Sequence, residues 1–360
     1  MTVPRVTVLG SGVALGVYIP ALLVERQLAR RGVAAETLII ESLYTPRGLE
    51  ALERCRVAYQ REFALALLAH RMTANITPNL DEQVVDALLE RWRAEDRRRF
   101  VVWSGYWMPV LAQYRSRARG PLSIDLCRID ARISVTFRAY QDLCDAMAGE
   151  ARDVWLWNLD RTALDAELPV CERPPVPWEE RDDRLVAHGG GWALGTYLER
   201  VPELRAHGFA LDVVLRDRSE AGENGSTRYF MVDPEWRAWR DPQLGFPPFG
   251  PVGDTAAFTR RHEYHEIYDL VRDSRAIISK PGGGTLIDSL ASATPVVLLD
   301  PYGYAEEANA AMWERLGFGI RWEQWRESGF SMEPIAALHR NLIERRHRGV
   351  DYASQIASSL

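Results

Sequence analysis

The residues best arranged for chemistry lie between 274 and 319, in the stretch SRAIISKPGGGTLIDSLASATPVVLLDPYGYAEEANAAMWERLGFG. A β-branched run ends at Ser279, Lys280 and Pro281 follow, and Gly282, Gly283 and Gly284 lead into a helical pattern opening at Thr285. A strand, a glycine turn and a helix start present unpaired backbone N–H groups together with the positive end of a helix dipole. That combination cradles an anion and suits a diphosphate, because a phosphate can approach a glycine main chain with no Cβ in its way. Lys280, the one lysine in the chain, adds a full charge. A tight turn with a purely structural role is the other reading of glycines at a helix start.

The same grammar recurs at 184–191, where RLVA reads as a strand, His188-Gly189-Gly190-Gly191 as a turn, and Leu194 onward as a helix. Two carboxylates follow apolar runs and so fall at candidate strand ends: Glu41 after TLII and Asp130 after IDLCRI. His262, Glu263, His265 and Glu266 (HEYHE) offer metal-binding atoms, but the HxxH spacing lacks the i, i+4 pair of HExxH, and no metal is expected. The four cysteines, Cys55, Cys127, Cys144 and Cys171, fall in no CxxC pattern, which points to neither zinc nor disulfides and suits a reducing cytoplasm.

Positioning these groups requires elements of the α/β kind. RVTVL (5–9) reads as a strand ending in Gly10-Ser11-Gly12, followed by a helical pattern through residue 32, and TLII and FVVW as further strands. Segments 133–137 and 154–157 are additional strand candidates, while 47–70 and 80–99 read as helices. Residues 172–183 (ERPPVPWEERDD), with three prolines and no periodicity, read as a linker. Beyond it 211–215, 229–232, 276–279 and 296–299 read as strands, alternating with helices at 262–273 and 285–292. The expectation is two Rossmann-like, doubly wound domains facing across a cleft: residues 1–171, then the linker 172–183, then 184–340, with a tail at 341–360 that forms a helix crossing back to the first domain. Open parallel sheets bind ligands at the carboxyl ends of their strands, so a facing pair shares one cleft.

Composition agrees with such a chain. Its 360 residues are 47% hydrophobic and 26% charged, with a net charge of -6, which argues against nucleic acid as a partner. No apolar run approaches the roughly 18 residues of a membrane span, and no cleavable leader is evident, so stable membrane insertion is not expected. The run FALALL (63–68), flanked by Arg61 and Arg71, reads as an ordinary packed helix, with a membrane-facing helix as the alternative.

The 274–319 block resembles the donor-domain motif of the GT-B glycosyltransferases, in particular the branch containing MurG and the UDP-glycosyltransferases. In that motif a strand leads to glycines, then Thr, then an acidic residue on the helix, and a later Gln- or Glu-containing segment precedes Asn-Ala. Here the matching positions are 281–285, Asp288, then Glu306, Glu307 and Asn309-Ala310. The resemblance implies that Lys280, Pro281, Gly282, Gly283, Gly284 and Thr285, with Gly190 and Gly191, hold a donor diphosphate, and that Asn309 belongs to the same donor site. It also implies that Asp288 accepts from ribose hydroxyls and that Glu306 or Glu307 reads the sugar. More weakly, Ser11, Gly12, Tyr106 and Trp107 match the acceptor side. The implied activity is transfer of a sugar from a nucleotide sugar, UDP preferred, to a small-molecule acceptor, with inversion and without metal or other cofactor, in natural-product biosynthesis. The residues before the donor glycines, including HEYHE, then lie near the donor.

One departure limits that reading. The first glycine loop of inverting members is often followed by a catalytic His, and the matching position here is Val17, which cannot take a proton. Glu41, Asp130 and His188 are the candidates to replace it. An acceptor acidic enough to need no base, a nucleotide-sugar epimerase using the same cradle, and an inactive nucleotide-sugar-binding partner are the alternatives.

Overall fold

The computed structural model describes residues 5–70, 75–191, 193–222, 225–253 and 257–360. In its first half, β1 (Val6–Gly10) is buried along its whole length, as a central parallel strand covered on both faces must be. The chain continues through α1 (Leu15–Arg30), β2 (Ala35–Ile39), α2 (Pro46–Arg61), α3 (Phe63–His70), α4 (Glu82–Ala94), β3 (Arg99–Val102) and α5 (Met108–Arg115). It then forms β4 (Ser123–Arg128), α6 (Val135–Arg138), α7 (Gln141–Ala146) and β5 (Ala151–Trp155). The five parallel strands lie in the order β2-β1-β3-β4-β5, with Val8 paired to Thr37 on one side and Val101 on the other. The order reverses between β1 and β3, so their following loops flank a topological switch point.

Three short strands, β6 (Trp157–Asn158), β7 (Ala163–Leu164) and β8 (Ala166–Glu167), precede the proline-rich stretch. The second half then runs β9 (Arg184–Ala187), α8 (Tyr197–Ala206), β10 (Ala210–Val214), β11 (Thr227–Val232), β12 (Phe249–Pro251), α9 (Ile267–Asp273) and β13 (Ala276–Ser279). It ends with α10 (Gly283–Ser292), β14 (Val296–Leu298), α11 (Tyr304–Leu316) and β15 (Gly319–Arg321). The seven strands are ordered β12-β11-β10-β9-β13-β14-β15, all parallel except β12. Here the switch point lies between β9 and β13, which puts both glycine turns side by side.

After α12 (Trp322–Glu327) and α13 (Met332–Arg345), β16 (Val350–Asp351) pairs with β8, and α14 (Tyr352–Ser358) packs on α1 of the first half. The Tyr352 hydroxyl donates to Asp125 Oδ2 on β4 at 2.7 Å. One apolar cluster runs from Val8 and Leu22 through Trp157 to Ile277, Leu286 and Trp313, so the halves share a core. In 172–183 the Arg181 guanidinium is buried and donates to the carbonyls of Ser274 and Ser292, each at 2.7 Å, which pins the stretch to the second half.

Several expected boundaries differ. The helix expected over 47–70 is two, because Glu62 is extended (φ -136°, ψ 97°). The one expected over 80–99 ends at Ala94, since Asp96 has φ +51° and Arg99 begins β3. The candidate strand at 133–137 is instead the start of α6 and the two residues before it; the place beside β3 belongs to β4. In 262–273 the helix starts only at Ile267.

Candidate active site

The carboxyl ends of both sheets open on one cavity of about 580 Å³, roofed by Ala51, Leu52, Cys55 and Tyr59 of α2. From the second half it is lined by the two glycine turns. Gly282 is the N-cap of α10 and has no side chain to cap it; the first amide bonded back into the helix is that of Leu286. Among the described residues the amides of Gly283, Gly284 and Thr285 have no acceptor, so the positive end of α10 is open. Beside it the Lys280 ammonium pairs with Glu306 Oε1 at 2.5 Å, and Glu306 Oε2 accepts from the Tyr302 amide at 2.6 Å. One turn further along α10, Asp288 is buried and bonded through both oxygens to His265 Nε2, at 2.9 and 3.0 Å.

The glycines divide by neighbour. A Cβ on Gly282 would stand 3.1 Å from Lys280 Nζ, facing the ion pair, whereas one on Gly283 would stand 2.6 Å from Ile129 Cγ1 and one on Gly284 3.3 Å from Gly16 Cα. Gly191 likewise admits Leu15, whose Cβ would be 2.6 Å from the added carbon. Gly283, Gly284 and Gly191 thus allow the first half to close on the second, a demand separate from phosphate access. Gly190, at φ +69°, adopts a conformation that favours glycine, and its amide donates to His188 Nδ1 at 3.1 Å.

The three candidate bases sit in different surroundings. Glu41, in the 3-10 turn that follows β2, accepts from Ser11 Oγ at 2.5 Å, Gly12 N at 2.7 Å and Val13 N at 3.4 Å. Burial holds its carboxyl above the usual range, and its bonds brace the loop that follows β1. His188 is driven down to about 3 by burial, with the Lys280 ammonium adding to it, so it is neutral and a poor proton acceptor. Asp130, just beyond β4, is raised to about 6 by burial, with Glu306 raising it further and the Asn309 hydrogen bond and Lys280 opposing. Among the described residues its Oδ2 has no hydrogen-bond partner, while Oδ1 accepts from Asn309 at 2.8 Å.

Other expected site residues are dispersed. Ser11 and Tyr106 line the cavity, and burial pushes the Tyr106 phenol up to about 12, leaving it a hydrogen-bond donor. Trp107 instead lies in the core of the first half, its indole donating to Gly10 O at 2.6 Å. Gly12 packs against the second half, since an added Cβ would stand 2.5 Å from Ala238 Cβ. Glu307 points outward and pairs with Arg321 at 2.7 Å, because it stands one residue, about 100° of helix, from the cavity-lining Glu306. The Asn309 amide bonds entirely to protein groups, among them the Pro281 carbonyl. Reasoning from sequence missed Tyr44, Tyr59 and, above all, the partnership of His265 with Asp288. HEYHE precedes α9, and nothing local in it points to a carboxylate on α10. His262 is exposed, and no group of three metal-ligating side chains occurs among the described residues.

No protein-family model matches the chain, and no curated protein matches it in sequence. Solved structures do match in fold. UGT89C1 of Arabidopsis thaliana complexed with UDP-L-rhamnose is 12% identical, with 100% of this chain and 99% of that one covered and a TM-score of 0.60. MurG of Acinetobacter baumannii (11%, TM-score 0.56) and the glycosyltransferase SsfS6 of Streptomyces sp. SF2575 complexed with thymidine diphosphate (13%, 0.55) each match over 99% of both chains. The chain has the GT-B fold: two Rossmann-like halves facing across a shared cleft. Among the described residues no helix is long and apolar enough to cross a membrane.

Proposed function

We propose that the protein is a cytoplasmic glycosyltransferase that moves a sugar from a nucleoside diphosphate sugar, UDP by preference, to a hydroxyl of a small-molecule acceptor. The observation that carries this reading is the open N-terminus of α10 beside Lys280, inside a cavity built by both halves. Three free amides, a helix dipole and an ammonium stabilise the charge that develops on a departing diphosphate, which gives a route needing no metal ion. The nucleoside diphosphate in SsfS6 and the nucleotide sugar in UGT89C1, both of this fold, support the same ligand class. Residues 1–171 serve as the acceptor half and 184–340 as the donor half. The apolar and aromatic roof, with Leu52, Tyr59 and Tyr106, suits a natural product with a largely apolar body.

In this reading Asp130 is the catalytic base. Its carboxylate takes the acceptor proton as the acceptor oxygen bonds to the anomeric carbon, and the bond from that carbon to the diphosphate breaks with its electrons passing to the phosphate. Attack on the face of the anomeric carbon opposite the departing diphosphate inverts the configuration. Asp288, freed from His265 or sharing with it, accepts from ribose hydroxyls, and Glu306, displaced from Lys280 by the diphosphate, accepts from the sugar. Calorimetric titration with UDP, TDP, GDP and ADP is the test. Micromolar binding of one, weakened in Lys280→Met, supports the cradle; binding of none overturns it.

A further inference from the structure

Asn309 stands on α11 in the second half, yet three of its four hydrogen bonds cross to the first. Its Nδ2 donates to Asp130 Oδ1 at 2.8 Å and to Pro281 O at 2.9 Å. Its Oδ1 accepts from the Ala131 amide at 2.7 Å and from the Trp157 indole at 3.2 Å. A primary amide has two donors and two acceptor lone pairs, so its capacity is complete, and the side chain is fully buried. Two acceptors on one side and two donors on the other also fix the orientation, since a flipped amide would fail at all four contacts.

We propose that Asn309 is a positioning residue that couples closure of the cleft to the setting of the base: Asp130 receives this hydrogen bond only when the second half lies against the first. The bond holds Oδ1 and leaves Oδ2 as the oxygen that takes the acceptor proton. The charged groups acting on Asp130, Lys280 on the turn after β13 and Glu306 on α11, also belong to the second half. An open cleft therefore leaves Asp130 as an ordinary solvated carboxylate, and a closed one places and retunes it in a single motion. The reasoning rests on Asp130 as the base, but its test does not require turnover.

The experiment follows the Asp130 carboxyl in protein labelled with ¹³C at aspartate Cγ, its signal identified by its absence in Asp130→Asn. In Asn309→Ala the titration midpoint is expected to rise by about one pH unit, because a donor to the ionised form is lost, and the Trp157 indole N–H to exchange at least about tenfold faster. Asn309→Asp keeps an oxygen for Ala131 and Trp157 but removes the donor and adds a like charge. It is expected to raise the midpoint while the indole stays protected. An unmoved midpoint in the two variants, with the indole exposed in Asn309→Ala, would reduce Asn309 to a structural bracket and overturn the proposal. Should Asn309→Ala fail to fold, Asn309→Asp decides alone. Full transfer by Asp130→Asn with these shifts intact would instead remove Asp130 as the base.

Discussion

Asp130→Asn is expected to stabilise the protein at neutral pH and to slow transfer. Burial, with Glu306 nearby, lifts this carboxyl from 3.8 to about 6 on folding. A group whose proton affinity rises on folding favours the folded state below its unfolded value and withdraws that contribution as the pH climbs through its folded value. The window here therefore runs from about pH 4 to about pH 6. A rise of about two units corresponds to about 3 kcal/mol, which the partial exposure of Asp130 reduces to about 1–2 kcal/mol. Asparagine at this position keeps an oxygen for the Asn309 amide and carries no charge into the cleft. Urea unfolding of parent and variant at pH 4 and pH 7.5 reads the difference. The variant's midpoint is expected to be higher at pH 7.5 and to approach the parent's at pH 4. A shift of equal size at both pH values, or a loss at pH 7.5, would refute the electrostatic reasoning. The same variant is expected to transfer sugar at least about a hundredfold more slowly, the lower end of what a general base contributes. The parental rate should rise along an acid limb centred near pH 6.

Lys280→Met is expected to weaken nucleoside diphosphate binding about 10- to 100-fold in calorimetry, the value of a charged hydrogen bond; an unchanged Kd would take Lys280 out of the donor site. Asp288→Ala should cost about 1–3 kcal/mol of nucleotide affinity, and a variant binding as tightly as the parent would leave Asp288 as a partner of His265 alone. Gly283→Val is expected to hold the cleft open, because its side chain meets Ile129. Small-angle scattering should show a larger radius of gyration with nucleotide affinity retained, and an unchanged radius with normal transfer would contradict the packing argument. Glu307→Ala should change nucleotide affinity by less than about 0.5 kcal/mol, since Glu307 pairs with Arg321 on the outer face; a larger loss in the same titration would return it to the site.

Local signals in the sequence determined the two strand–glycine–helix units at 6–30 and 276–292, and with them the class of fold. A buried parallel strand reads as a continuous apolar run, and a glycine turn before a helix is a property of neighbouring residues. The same locality exposed the cradle of Lys280, Gly282 and Thr285 and the absence of a histidine where Val17 stands. Tertiary structure alone decided which polar groups meet. Glu306 and Glu307 are adjacent and chemically alike in sequence; the phase of α11 sends one to Lys280 and the other to Arg321. Glu41, Asp130 and His188 all follow strands and were indistinguishable as bases until their surroundings were known. Glu41 braces a loop, burial and nearby positive charge neutralise His188, and Asp130 keeps an oxygen without a partner. The pairing of His265 with Asp288, and the Asn309 amide clasped between Asp130, Ala131, Trp157 and Pro281, join residues 23 to 179 positions apart. Proton affinity and hydrogen-bond capacity depend on what lies within a few ångströms, and in a two-sheet fold those neighbours come from elements that no local pattern in the chain connects.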